Sequence, residues 1–226
     1  DLAAIQGEII RLSQRGDLVQ AGERFTTEAA QQREREVLAV EARGRGAVAP
    51  MMREVPAAEA LVRTNLNDSQ RSAAHLVVTT DARVVAVQGV AGTGKTTMLQ
   101  QAKTLAEQNG YRVMGIAPSA AAARELEKAG IPSQTIAAFT QRDNAGLNGK
   151  TVLVMDEAGM VASRDMQAVL QRVEAAGARV VLVGDVQQLK AVEAGKPFAQ
   201  LQEAGMARVE MGVIQRQQNA ELKAAV

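Results

Sequence analysis

The chain has 226 residues, room for one medium domain with a buried core and a smaller attached piece, and a tight fit for two complete nucleotide-binding lobes. Its 26 basic and 25 acidic residues nearly cancel, so attraction to a polyanion has to come from local arrangement; without cysteine, and with one histidine, it has neither disulfides nor a histidine-rich metal site. No apolar run approaches the ~20 residues that a bilayer crossing needs, and the acidic start Asp1-Leu2-Ala3 is unlike a signal peptide, so the expectation is no membrane insertion and a reducing, cytoplasmic setting.

Residues 1–62 are rich in helix formers and charge and show no run of alternating strand residues; they are expected to form a helical appendage or linker. Within them Thr27 is a cap for a helix over Glu28–Ala42, and Gly44, Gly46 and Pro50 should end that helix. From residue 63 to 226 short β-branched runs alternate with helical segments. The runs are Val84–Val87, Arg112–Ile116, Thr151–Met155 and Arg179–Val183; the helices are Lys95–Gln108, Ser119–Ala129 and Ser163–Ala176, each closed by a glycine, Gly110, Gly130 and Gly177. Nearly uninterrupted apolar strands alternating with helices predict an α/β domain with a mostly parallel sheet covered on both faces. In such sheets ligands bind beyond the carboxyl ends of the strands, so the residues after each run are where chemistry should sit. The first residue is not methionine, and the last, Lys223–Val226, fall inside a helical pattern; the sequence reads as a piece of a longer chain.

Straight after Val84–Val87 comes Gln88-Gly89-Val-Ala-Gly92-Thr-Gly94-Lys95-Thr96-Thr97, the strand, G-x-x-x-x-G-K-[ST], helix arrangement of a phosphate loop. Glycines let the backbone curl with its N–H groups pointing at an anion, and the following helix adds its positive end. Lys95 is expected to reach the β- and γ-phosphates of a bound nucleotide and the Thr96 hydroxyl to ligate Mg²⁺, with Gly89, Gly92, Gly94 and Thr97 completing the cradle. The strand Thr151–Met155 runs into Asp156-Glu157. Asp156 is read as the Mg²⁺-holding carboxylate and Glu157 as the group that orients and activates the attacking water, because one carboxylate must stay on the metal while the other handles a proton. After Arg179–Val183 comes Gly184-Asp185-Val-Gln187-Gln188, where Gln188 is the candidate sensor of the γ-phosphate. Farther on, Arg216 could neutralise charge developing on the transferred phosphoryl group. Taken alone, the last two are an ordinary turn and a solvated arginine.

Together these motifs resemble superfamily 1 helicases of the RecD-like branch, and most closely the helicase part of conjugative relaxase-helicases. Leu66-Asn67-Asp68-Ser69-Gln70-Arg71 looks like that family's adenine-recognition motif, with Gln70 reading the base edge, and the Val213–Gln217 stretch carries the arginine Arg216. The resemblance implies a RecA-like P-loop fold, ATP and Mg²⁺ as substrate and cofactor, and single-stranded DNA held across two lobes. Contacts to that DNA would come from Pro118, Ser119 and Thr135, whose hydroxyls and helix ends meet phosphates and fix register without reading sequence. It further implies partners in the parent chain, a second RecA-like lobe and a relaxase domain, neither of which is found in these residues. Arg124 and Lys128 read better as a solvated helix face than as DNA contacts. With only Phe25, Tyr111, Phe139 and Phe198 as aromatics, few stacking platforms are available.

The expected function is therefore the first ATP-binding motor lobe of a DNA helicase, with the isolated chain weakly active or inactive. The competing expectation is a non-hydrolysing RecA-like domain kept for single-strand binding or regulation, whose mark would be loss of Lys95, Thr96, Asp156 or Glu157; all are present. A GTP switch is disfavoured by the lack of an N-K-x-D motif.

Overall fold

In the computed structural model, which describes residues 2–21, 24–142, 146–186 and 195–212, helix α1 (Leu2–Gln14) leads into an antiparallel hairpin of β1 (Val19–Ala21) and β2 (Arg24–Thr26). The hairpin corrects the expectation of a purely helical start: three-residue strands are too short to carry an alternating pattern. Helix α2 (Glu28–Arg43) begins where Thr27 accepts a hydrogen bond from the N–H of Ala30 at 3.1 Å, as its capping position demands. Helices α3 (Glu54–Val62) and α4 (Asp68–Thr79) follow. In α4, Asn67 and Gln70 form a reciprocal capping box, each side chain accepting from the other's backbone N–H, at 2.8 and 3.0 Å.

The rest is a run of strand and helix: β3 (Val84–Gly89), α5 (Lys95–Gln108), β4 (Arg112–Ala117), α6 (Ala120–Lys128), β5 (Ser133–Thr135), α7 (Ile136–Gln141), β6 (Thr151–Met155), a 3₁₀ turn (Ala158–Met160), α8 (Ser163–Ala175), β7 (Arg179–Gly184), α9 (Pro197–Glu203) and β8 (Ala207–Met211). Strands β3 to β8 form one sheet in the order β5-β4-β6-β7-β3-β8, with every pairing parallel. The predicted strands and helices are there within a residue or two; β5 and β8 are additions, short or mixed-polarity edge strands whose pattern is weak.

Alternation along each strand divides the core. Val85, Val87, Val152, Val154, Val181 and Val183 face a cluster with α3, α4 and α5. Val84, Ala86, Leu153, Met155, Val180 and Leu182 face the opposite cluster with α2, α7, α8 and α9. A sheet buried on both sides must be apolar at successive positions, which is why the strands read as continuous runs. The fold is thus the RecA-like α/β arrangement expected, with helices on both faces.

The stretch 1–62 does not behave as one loose unit. Val37 and Val40 of α2 and Ala57 and Leu61 of α3 are at most 2 % exposed and lie in opposite halves of the core. Outside the core, α2 also pairs with α8 through Arg43 and Glu174, whose atoms approach to 2.9 Å. Helix formers and charge described the solvent side of α2 and hid its buried stripe.

Candidate functional site

The carboxyl ends of β3, β7 and β6 lie side by side, and a cavity of about 530 Å³ opens there. Ala91, Gly92, Gly94, Lys95, Thr96 and Thr97 line it from the phosphate loop, Asp156 and Glu157 from the end of β6, and Glu125 from α6. Residues separated by some sixty positions in sequence are brought together because β6 runs parallel to β3 with only β7 between them. A larger cavity, about 840 Å³, is bounded by Pro50–Glu54 and by Leu76 and Thr79–Asp81, at the opposite end of β3, and holds none of the expected site residues.

The loop has the backbone its sequence requires. Gly92 and Gly94 have φ of +86° and +80°, and Gly94 is the residue from which α5 starts. A side chain at either would be strained in this left-handed region. Thr93, fully buried, donates to the carbonyl of Val90 at 3.0 Å and stiffens the curl. Lys95 folds back over the loop, its Nζ donating to the carbonyls of Gly89 at 2.6 Å and Val90 at 3.1 Å. Those carbonyls hold the ammonium beside the cradle, where an incoming anion would compete for it. Thr96 and Thr97 are exposed to the cavity.

At the end of β6 the Asp156 carboxylate accepts from the N–H of Glu157 at 2.9 Å. Glu157 has φ of +52°, the one left-handed non-glycine among the described residues, an uncommon conformation that turns the chain sharply at the cavity wall. Gly159 follows because nothing larger fits: a Cβ there would lie 2.4 Å from the carbonyl oxygen of Asp185 in the turn after β7. Burial raises the Asp156 carboxyl above its usual range, against the pull of the Glu157 N–H and the Lys95 ammonium. Burial also raises Glu157, and the neighbouring charges of Asp156 and Asp185 push in the same direction while Lys95 opposes them. Two neighbouring carboxylates made reluctant to ionise by burial, Glu157 also by the charge of Asp156, form a place where a cation is favoured.

That donor set fits Mg²⁺. The Thr96 hydroxyl and Asp156 carboxylate supply hard oxygen from two sides of one cavity, and this ion characteristically takes few protein ligands and fills its shell with water and phosphate oxygens. Among the described residues no cluster of three or more acidic, histidine or cysteine side chains forms a metal cage, which this mode of binding does not require.

Gln70 does not line the cavity. It is 6 % exposed, its Oε1 is engaged in the capping box, and its Nε2 donates to the carbonyls of Thr93 at 3.3 Å and Gly94 at 3.4 Å, so it braces the phosphate loop from behind. Pro118 and Ser119 follow β4, and Thr135 ends β5, on the same edge of the sheet as the cavity. Pro118 and Ser119 are exposed. Ser119 caps α6 by accepting from Ala122 N–H, and Thr135 caps α7 by accepting from Ala138 N–H, both at 3.1 Å. Arg124 and Lys128 are exposed, Lys128 paired with Glu125 at 2.8 Å, as the solvated reading expects. Tyr111, Phe139 and Phe198 are buried. Gln188 and Arg216 lie outside the described residues. Sequence reasoning missed Glu125, which an isolated helix pattern gives no reason to single out, and the contacts of Gln88 and Asp185, whose signal was polar residues ending two apolar strands.

A sequence profile for the family described as an AAA domain matches residues 65–226. The chain is 44 % identical over 160 residues, 69 % of its length, to the probable conjugal transfer protein TraA of Sinorhizobium fredii. It is 32 % identical over 238 aligned residues, 97 % of its length, to the multifunctional conjugation protein TraI of Escherichia coli K12, and 35 % identical over 130 residues, 54 % of its length, to the ATP-dependent RecD2 DNA helicase of Deinococcus radiodurans. It spans 14 %, 13 % and 18 % of those relatives' lengths, respectively. The chain belongs to the AAA domain family, as a RecD-like, superfamily 1 helicase-type domain related to the conjugative relaxase-helicases.

Proposed function

We propose that this chain is the first ATP-binding motor lobe of an ATP-dependent DNA helicase, carried by a conjugative relaxase-helicase that moves along single-stranded DNA. The observation that carries the reading is the meeting of Lys95, Thr96, Asp156 and Glu157 around one cavity at the carboxyl ends of parallel strands. ATP is the substrate. Its phosphates settle against the N–H groups of the loop through Gly89, Gly92, Gly94 and Thr97, and Lys95 exchanges the carbonyls of Gly89 and Val90 for phosphate oxygens. Thr96 and Asp156 would hold Mg²⁺, which would supply positive charge to neutralise the phosphate oxygens. Glu157, whose proton affinity burial has raised, orients the attacking water and takes its proton.

The remaining roles rest on the family resemblance. Gln188 would sense the γ-phosphate and Arg216 would neutralise charge on it. Gln70 would read the adenine edge, which requires its carboxamide to give up one of the bonds it makes to the loop or to its own helix cap. Pro118, Ser119 and Thr135 would meet DNA phosphates, and the burial of Tyr111, Phe139 and Phe198 is consistent with base stacking being supplied by a second lobe of the parent protein. A cytoplasmic location fits this role.

The alternative, a non-hydrolysing domain for strand binding or regulation, is disfavoured by the presence of Glu157 in the cavity wall, since binding alone has no use for a water-orienting base. ATP hydrolysis by the full-length protein, with and without single-stranded DNA, decides between them. Stimulated turnover is expected; tight nucleotide binding with no turnover would establish the alternative. The isolated chain should bind nucleotide weakly and respond little to DNA.

A further inference from the structure

We infer that Gln88 is a positioning residue that ties the root of the phosphate loop to the turn after β7, an inference that rests on the ATPase reading above. Gln88 stands between Gly184 of β7 and Glu210 of β8 in the sheet register. Alternation puts it on the same face as Val84 and Ala86, the α9 side, where it is the polar residue ending an apolar strand. Its single carboxamide has contacts in three directions. Nε2 donates to Asp185 Oδ1 at 2.9 Å, while Oε1 accepts from the N–H of Val186 and from Nε2 of Gln202, each at 3.3 Å. Gln202, 7 % exposed on α9, in turn accepts from Arg208 of β8 at 3.2 Å.

The location matters because the next residue is Gly89, whose carbonyl holds the Lys95 ammonium. On the far side, the Asp185 carbonyl packs against Gly159, two residues past Glu157, closely enough that a Cβ on Gly159 would sit 2.4 Å away. An unbroken line of contacts therefore runs from Lys95 through Gly89 and Gln88 to Asp185, and from there to the Glu157 corner. When Lys95 leaves the Gly89 carbonyl for a phosphate, the strand end that bears Gln88 is the first backbone to be released. The turn holding Asp185 is hydrogen-bonded to that strand end. Glutamine is the residue this position needs: a neutral carboxamide donates and accepts at once, leucine does neither, and a glutamate would set a second carboxylate against Asp185.

The chemistry suggests its own test, an exchange of the amide and the acid. In Q88E the donor to Asp185 is lost and like charges oppose. In Q88E/D185N the new amide donates back, while the carboxylate still accepts from Val186 and Gln202. Steady-state ATP hydrolysis by the full-length protein at saturating single-stranded DNA would be measured with equilibrium binding of a fluorescent non-hydrolysable ATP analogue and with the thermal midpoint. Q88E should lower kcat by roughly 10-fold while leaving analogue affinity and the thermal midpoint near wild type, and the exchange should recover most of the lost rate. A Q88E protein as fast as wild type overturns the inference, as does an exchange variant no better than Q88E. So does a joint fall of kcat, affinity and thermal midpoint, which would make the network a clamp on α9 only. A wild type without DNA-stimulated turnover would instead overturn the motor reading on which the inference stands.

Discussion

The two ends of the parallel sheet handle buried charge in opposite ways. At the carboxyl end, burial raises Asp156 and Glu157, Glu157 being raised further by the charge of Asp156, and Lys95 donates to the loop carbonyls of Gly89 and Val90. At the amino end, Arg179 starts β7 at 4 % exposure, donates to the Ala49 carbonyl at 2.6 Å, and lies 5.1 Å from the centre of the Tyr111 ring, with Lys150 4.2 Å from the same ring. One end sets the buried Arg179 and the exposed Lys150 over one aromatic ring, an arrangement made from the protein's own groups. The other leaves Asp156, Glu157 and Lys95 lining an open cavity, an arrangement suited to binding a phosphate with its cation. Carboxylates raised by burial beside a cation in an open cavity point to a candidate site, which a buried charge enclosed by the protein does not.

Removing the cation should break the contrast most severely. Lys95→Ala in the full-length protein is expected to lower DNA-stimulated ATP turnover by about 10²–10³-fold and to abolish unwinding, as read by phosphate release and strand displacement. Retained unwinding would remove Lys95 from the mechanism. Glu157→Gln should slow turnover by roughly 10²-fold or more while nucleotide binding, measured at equilibrium, persists; unchanged turnover would mean that another group orients the water.

A stability pair extends the comparison away from the site. Leu61→Ala, at 2 % exposure on α3, should lower the unfolding free energy by about 2–5 kcal/mol. Its neighbour Val62→Ala, at 73 % exposure, should change it by no more than about 0.5 kcal/mol. Equal effects in denaturant titrations would show that α3 is not part of the packed body.

The smallest expected effect is a pH dependence. Because Glu157 has its carboxyl raised above the ordinary 4.5 in the folded chain, ionising it disfavours folding; its cost is absent below pH 4.5 and fully present above the folded value. Glu157→Gln should therefore stabilise the nucleotide-free chain slightly at neutral pH, and the gain should vanish as pH falls to 4.5. Thermal midpoints across that range measure it, and a gain that grows on acidification would reverse the assigned sign.

Much of the site is legible in the sequence because its signals are local. The phosphate loop needs glycines, lysine and threonine at adjacent positions, and the acid pair needs an apolar strand ending in two carboxylates; both sit in short stretches of chain. Gln70 was legible as a singular residue but not in its contacts, since one carboxamide can face a ligand or the loop behind it, and only packing chooses. The same holds for α2, where Val37 and Val40 are spaced correctly for a buried stripe but surrounded by Gln, Arg and Glu that announce a solvated helix.

From sequence alone came the alternation of parallel strands and helices, the loop at Gly89–Thr97 and the carboxylates at Asp156 and Glu157, because backbone propensity and motif chemistry act over a few neighbouring residues. The tertiary structure decided the insertion of β7 between β3 and β6, the docking of α2 and α3 on opposite faces, and the joining of Gln88 to Asp185, 97 positions apart. Strand order and side-chain pairing at that separation depend on which surfaces fill the core together, and a linear pattern carries no record of the partner.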